Sequence, residues 1–177
     1  MAAMTETVLD TDKEYEIVNG QPEEKIMGGG RHGVVGTELI IDLGVHVRAQ
    51  RLGVVCGPDT SFQIGENERL PDVAFVSVAR IPEAGVPEKA WPMPPDLAVE
   101  IVSPSDLYGK VMTRVAEYLT AGVRQVWLIF LDHRTVTIYS SLTDVKVLQE
   151  TDDLDGGDVI PGFRCRVAEL FQGLTRP

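Results

Sequence analysis

Cysteine is scarce: Cys56 and Cys165 are the only two in 177 residues. They have neither the paired spacing of a zinc site nor the density of a disulfide scaffold. Free buried thiols in a reducing cytosol are the expectation. Long hydrophobic runs are missing too, since the longest, Val126 to Leu131, falls far short of the roughly 20 residues that cross a bilayer. The opening MAAMTETVLDTDKEYE is acidic and has no apolar stretch, unlike a signal peptide. These shortages predict a cytoplasmic protein without a membrane partner. Positive charge is also in deficit, with 16 Lys and Arg against 27 Asp and Glu and a net charge of −11. That balance argues against strong non-specific attraction to phosphate backbones, although a local basic patch or a bound metal can offset it. Finally, GGGRHG at residues 28–33 lacks both the Gly-Lys-Ser/Thr of a P-loop and the G-x-G-x-x-G pattern. It reads as a flexible entry into a helix. Internal repeats and low-complexity segments are absent.

What remains has the make-up of a soluble globular protein, 44% hydrophobic and 24% charged. A loose tail over residues 1–12 and one domain over 13–177 are expected. Asn19-Gly20 supplies positive φ at both centres of a type I′ hairpin, so EYEIVNGQPEEKIM starts the fold as a hairpin. A helix from His32 to Gln50 follows, with Val35, Leu39, Leu43 and Val47 in one apolar stripe. Short strands are expected at 53–57 and 60–64, and another after Pro71-Asp72. The proline-rich stretch 79–95 is a loop, which Trp91 could pin to the body. Serine and aspartate of SPSD are candidate caps for a helix from Leu107 to Ala121 that stops at Gly122. RQVWLIFL, TVTIYSS and DVKVLQE are further strands, and DDLDGGD is a turn. A strand, a helix packed over it and a returning strand form a βαβ-like unit or its antiparallel equivalent.

Chemistry concentrates in PPDLAVEIVSPSD, residues 94–106. Leu97, Ala98, Val99, Ile101 and Val102 read as a strand buried on both faces, with Glu100 at its centre. An ionised carboxylate is very costly to bury unless it is paired, hydrogen-bonded or metal-bound. Glu100 therefore faces a wet edge, pairs with an arginine, or acts as a metal ligand or acid/base group. The other candidates also carry two readings each. Glu16 is a solvated hairpin residue or a site carboxylate, and Asp72 is turn chemistry or a ligand at a strand entry. His32 is a capping residue or a site residue in the first helical turn. Lys110, Arg114 and Tyr118, at four-residue spacing, are a solvated face or a row aimed at a site. Glu16, Asp72 and Glu100 converging from neighbouring strands would suit a hard divalent ion, which takes oxygen ligands.

The order YEIVNG, GGGRHG, GPDTSF, LPDVAFV, PPDLAVEIVSPSD, RVAEYLTAGVRQVWLI, RTVTIY and DVIPGF resembles the Uma-two restriction-endonuclease family, within the PD-(D/E)XK nuclease superfamily. The likeness runs from Tyr15 to Phe171. It implies an α/β (α+β) fold with a restriction-endonuclease-like core: a mixed β-sheet flanked by helices, with an N-terminal β-hairpin. It implies an endonuclease dependent on Mg²⁺ or Mn²⁺ that hydrolyses nucleic-acid phosphodiesters, DNA first, and works as a homodimer. By that likeness Asp72 and Glu100 are metal ligands and Glu16 an accessory ligand or water-orienting group. His32 and Tyr118 are accessory. The superfamily's lysine two positions after the acid falls on Val102, and the family's cation in the following helix falls on Arg114. Lys110 lies one turn earlier, so Lys110 or Arg114 would supply electrostatic stabilisation. The alternative is a catalytically silent relative that keeps the fold as an oligomeric interaction module.

Overall fold

Two sheets of different size meet at one cleft. The computed structural model describes residues 13–26 and 28–176, so the tail expected over residues 1–12 lies outside the described residues. The chain opens with the hairpin β1 (Tyr15–Val18) and β2 (Gln21–Glu24). Asn19 and Gly20 at its turn have φ of 51° and 73°, the positive values that a type I′ turn requires. Helix α1 (Gly30–Gln50) follows, and all four residues of its apolar stripe are buried. Strands β3 (Gly53–Cys56) and β4 (Phe62–Ile64) form as expected, yet they enter different sheets. A short strand that periodicity does not reveal, β5 (Asn67–Arg69), precedes β6 (Val73–Ser77). Strand β7 (Leu97–Val102), helix α2 (Tyr108–Ala121) and strand β8 (Gln125–Phe130) come next. The chain closes with β9 (Thr135–Tyr139), β10 (Val145–Leu148), β11 (Asp153–Asp155), β12 (Arg164–Arg166) and a 3-10 segment, Val167–Leu174.

The large sheet has the order β10-β9-β8-β7-β6-β3, and the small one β2-β1-β5-β4. Only β7 and β8 run parallel within the large sheet, and α2 is their crossover, so the unit is a true βαβ. The architecture is a mixed α+β fold with an N-terminal antiparallel hairpin. One face of the large sheet packs Leu97, Val99, Ile101, Trp127 and Ile129 against the α1 stripe and the 3-10 segment. The opposite face packs Ala98, Val126 and Leu128 against Val115 and Tyr118 of α2. Trp91 pins its loop as expected: it is buried, stacks on Phe62, and its backbone bonds Ser61 and Gln63.

Several local expectations are corrected. Leu107, not a serine or aspartate, is the α2 N-cap and makes no side-chain cap. Asp106 instead accepts from the Ser103 N–H at 2.6 Å, closing its own turn ahead of the helix. DDLDGGD contains β11, whose pairing with β12 overrides its turn-like composition. Glu16 is not solvated but 2% exposed. Tyr118 is fully buried and Arg114 partly so, so that row is no solvated helix face. Cys165 is buried and Cys56 half-buried. Among the described residues, no helix is long and apolar enough to cross a membrane.

Candidate active site

Asp72 and Glu100 are brought together by strand register. Val73 of β6 pairs with Val99 of β7, and the antiparallel ladder places Asp72 opposite Glu100 one step further on. The Asp72 N–H donates to the Val99 carbonyl at 3.0 Å, and Asp72 Oδ2 accepts from the Ile101 N–H at 2.8 Å. The aspartate is thus fixed by the backbone of the strand that bears the glutamate. His32, in the first turn of α1, meets the same Oδ2 through Nε2 at 3.0 Å. Its ring lies so close to Gly28 that a Cβ there would collide with it, which is one physical use of the glycine-rich entry.

The carboxylate pair is ringed by cations, two of which escape a reading of the sequence. Lys25, just past β2, has its ammonium buried, donating to the carbonyls of Leu70 (2.7 Å) and Pro58 (3.1 Å). It stands 3.4 Å from Asp72 Oδ1. That oxygen takes no hydrogen bond among the described residues. Arg69 of β5 donates to Glu16 at 2.8 Å and forks onto Glu117 at 2.9 and 2.6 Å. Arg114 of α2 bridges Glu100 Oε2 and Glu16 Oε2, both at 2.9 Å. The Tyr118 hydroxyl donates to Glu100 Oε1 at 2.7 Å. Glu16 is saturated, since its remaining oxygen accepts from the Leu70 N–H at 3.0 Å. Lys110 lies exposed on the cleft wall and makes no ion pair among the described residues.

These contacts set the protonation chemistry. Burial pushes the Glu100 carboxyl up to about 7; Arg114 opposes that rise, while the negative charges of Asp72 and Glu16 add to it. Asp72 goes the other way. Burial would raise it, but the hydrogen bond from His32 and the Lys25 ammonium outweigh burial and hold it below the usual carboxylate range. The bond to Asp72 in turn lifts His32 above its ordinary value, against the effect of its own burial. Burial drives the Tyr118 phenol well above its usual range.

All seven residues singled out in the sequence, Glu16, His32, Asp72, Glu100, Lys110, Arg114 and Tyr118, therefore gather around one cleft of about 470 Å³ or its floor. Lys25, Arg69 and Glu117 complete it. Arg69 carries no local signal: the strand that buries it together with Asn67 is three polar residues with no apolar alternation. Lys25 is the first cation after two exposed glutamates at the end of the hairpin, where ordinary surface chemistry conceals it.

The model of the Uma2 family, described as "Putative restriction endonuclease", matches residues 3–168. The chain belongs to this family. Uma2 is the family that the motif order resembles, and the match takes in every residue of the cleft. A crystal structure described as a "putative nuclease belonging to DUF820" from Anabaena variabilis ATCC 29413 superposes on this Uma2 chain with a TM-score of 0.84. It is 23% identical and covers 95% of each chain. At that identity the likeness establishes the shared fold. Among curated proteins, none matches the chain.

Proposed function

We propose that this Uma2 chain is a divalent-metal-dependent endonuclease that hydrolyses nucleic-acid phosphodiesters in the cleft floored by Asp72 and Glu100. The observation that carries the reading is the register-fixed opposition of those two carboxylates at the bottom of an open cleft, with Asp72 Oδ1 free of hydrogen bonds among the described residues. This donor chemistry suits a hard cation. No third His, Cys, Asp or Glu completes a cluster with them among the described residues, so the remaining ligands would be water and phosphate oxygens, as Mg²⁺ commonly keeps. When bound there, Mg²⁺ or Mn²⁺ supplies polarisation of a phosphoryl oxygen and a more acidic water.

The chain's own residues have distinct parts in this proposal. Asp72 and Glu100 hold the ion. Arg114, positioned by Glu16, offers charge to the developing negative phosphate oxygens. Glu16 Oε2 accepts from both Arg69 and Arg114 and its Oε1 from the Leu70 N–H, whereas each Glu100 oxygen accepts one bond, so Glu16 serves as a positioning residue rather than a ligand. His32 orients Asp72, Tyr118 orients Glu100, and Lys110 stands on the wall to meet incoming phosphate.

One observation favours the second reading, a nuclease-fold interaction module without chemistry. Glu16, Asp72, Glu100 and Glu117 are already faced by Lys25, His32, Arg69 and Arg114, so the cluster is near charge balance with no added ion. Titration calorimetry with Mn²⁺ on the wild type and on Asp72→Ala separates the two. The enzyme reading expects binding that Asp72→Ala abolishes, together with cleavage of an oligonucleotide that is lost at least about 100-fold in the variant. Absence of Mn²⁺ binding in the folded wild type would leave the module reading standing.

A further inference from the structure

Building on the nuclease reading, we infer that the cleft takes a single nucleic-acid strand, about one nucleotide at a time, and not a duplex. The first ground is the allocation of positive charge. Four basic side chains line the cleft, namely Lys25, Arg69, Lys110 and Arg114. Three of them are already committed. Lys25 is buried between two carbonyls and Asp72, Arg69 is locked between Glu16 and Glu117, and Arg114 spans Glu16 and Glu100. Only Lys110 has no ion pair among the described residues and stands exposed on the wall. The rim is acidic: Glu23 and Asp106 are exposed with no ion pair among the described residues, and Glu24 is exposed and paired with Lys13 at 2.7 Å.

A duplex presents one negative charge for roughly every 1.7 Å of its axis, and proteins that grip it neutralise many phosphates with Lys and Arg. This rim would repel the flanking phosphates instead. It leaves favourable charge only for the phosphate that reaches the floor.

The second ground is the size and apolar lip of the cleft. Its volume of about 470 Å³ lies in the range that encloses one small molecule, room for about one nucleotide. Two aliphatic side chains on its lining, Ile26 and Leu107, are 88% and 67% exposed. The other aliphatic residues of the lining, Val18, Ile101, Val102 and Val111, are buried or half-buried, so Ile26 and Leu107 are the surfaces on which an unpaired base can rest its apolar face. A base in a duplex is stacked and paired and cannot reach them. Single-strand sites combine base contact with sequence-tolerant backbone tracking, and here base contact replaces most of the backbone charge.

Fluorescence anisotropy with 12-nucleotide DNA and RNA probes, each as single strand and as duplex, in Ca²⁺ over a range of salt, tests this. Single strands should bind at least tenfold more tightly than duplexes of the same length. Their log–log salt slope should be no steeper than about −3, corresponding to a few phosphates at most. Leu107→Ser should weaken single-strand binding several-fold, since its side chain is two-thirds exposed. Duplex binding equal to or tighter than single-strand binding, or a slope steeper than about −3, overturns the inference while leaving the nuclease reading intact. Failure of every probe to bind overturns both.

Discussion

The two faces of the large sheet are built from alternate residues of the same strands, yet they do opposite things. On one, Val73, Phe75, Leu97, Val99, Ile101, Trp127 and Ile129 are apolar from end to end and meet α1. On the other, Ala74, Val76, Ala98, Val126 and Leu128 are apolar only part of the way. At its far end that face carries Asp72 and Glu100, and the packing helix answers with Arg114 and Tyr118. The first face is held by area removed from water, which is indifferent to direction. The second depends on pairing, in which removing one partner strands another in a poor solvent. One strand therefore contributes to a core with one set of side chains and to a site with the other.

Three substitutions or conditions would break this contrast, and the largest effect is expected at Arg69. Arg69→Met removes the guanidinium shared by Glu16 and Glu117 and should destabilise the fold by about 3 kcal/mol, as loss of one partner of a buried pair does. Urea unfolding reads it, and a change below about 0.5 kcal/mol would show that the charged end is solvated rather than buried.

The second is pH. Glu100 is raised in the folded state to about 7 from an ordinary value of 4.5, so between those values the native form binds more protons than the unfolded one. Stability must then fall as pH rises from 5 to 8, on the order of 1–3 kcal/mol for a shift of this kind. His32, also raised, acts in the same direction, with its contribution lost as pH climbs through its folded value. Asp72, lowered, contributes its full stabilisation across this window and loses it only as pH falls into the acid range. In Glu100→Gln the decline between pH 5 and 8 should flatten, and an unchanged slope would assign the decline to other groups.

The smallest effect is the most informative about the site. Arg114 holds the Glu100 oxygen that a cation would contest. Arg114→Gln should therefore tighten Mn²⁺ binding about tenfold, or roughly 1.4 kcal/mol. Calorimetry showing equal or weaker binding would mean that the arginine supports the ion's site rather than competing for it.

The same contrast explains what was legible in the sequence. Apolar periodicity placed α1, β6, β7, α2 and β8 because burial on the α1 face obeys a simple alternation. It also exposed Glu100, since a charge inside an apolar run breaks the pattern. Lys25 and Arg69 stayed hidden because a cation in a polar stretch breaks no pattern. Their burial comes from the small sheet folding over the end of the large one, a tertiary event with no local signature. Strand β5 was missed for the same reason: three polar residues, Asn67, Glu68 and Arg69, extend only because β1 and β4 flank them. Glu16 looked like surface from its alternation, and the partner that overturned that reading, Arg114, stands 98 positions away.

That separation has a bearing on how the protein is made. The hairpin leaves the ribosome early, but its Glu16 has no Arg114 to receive until α2 has followed. Asp72 and Glu100 likewise cannot face each other before β7 has been synthesised and paired. Chains grow at about 5–20 residues per second, so for several seconds the nascent protein carries every early half of the cleft and none of the late half. The full set of cleft residues exists only once α2 has emerged, with β8, β9 and β10 of the large sheet still to follow.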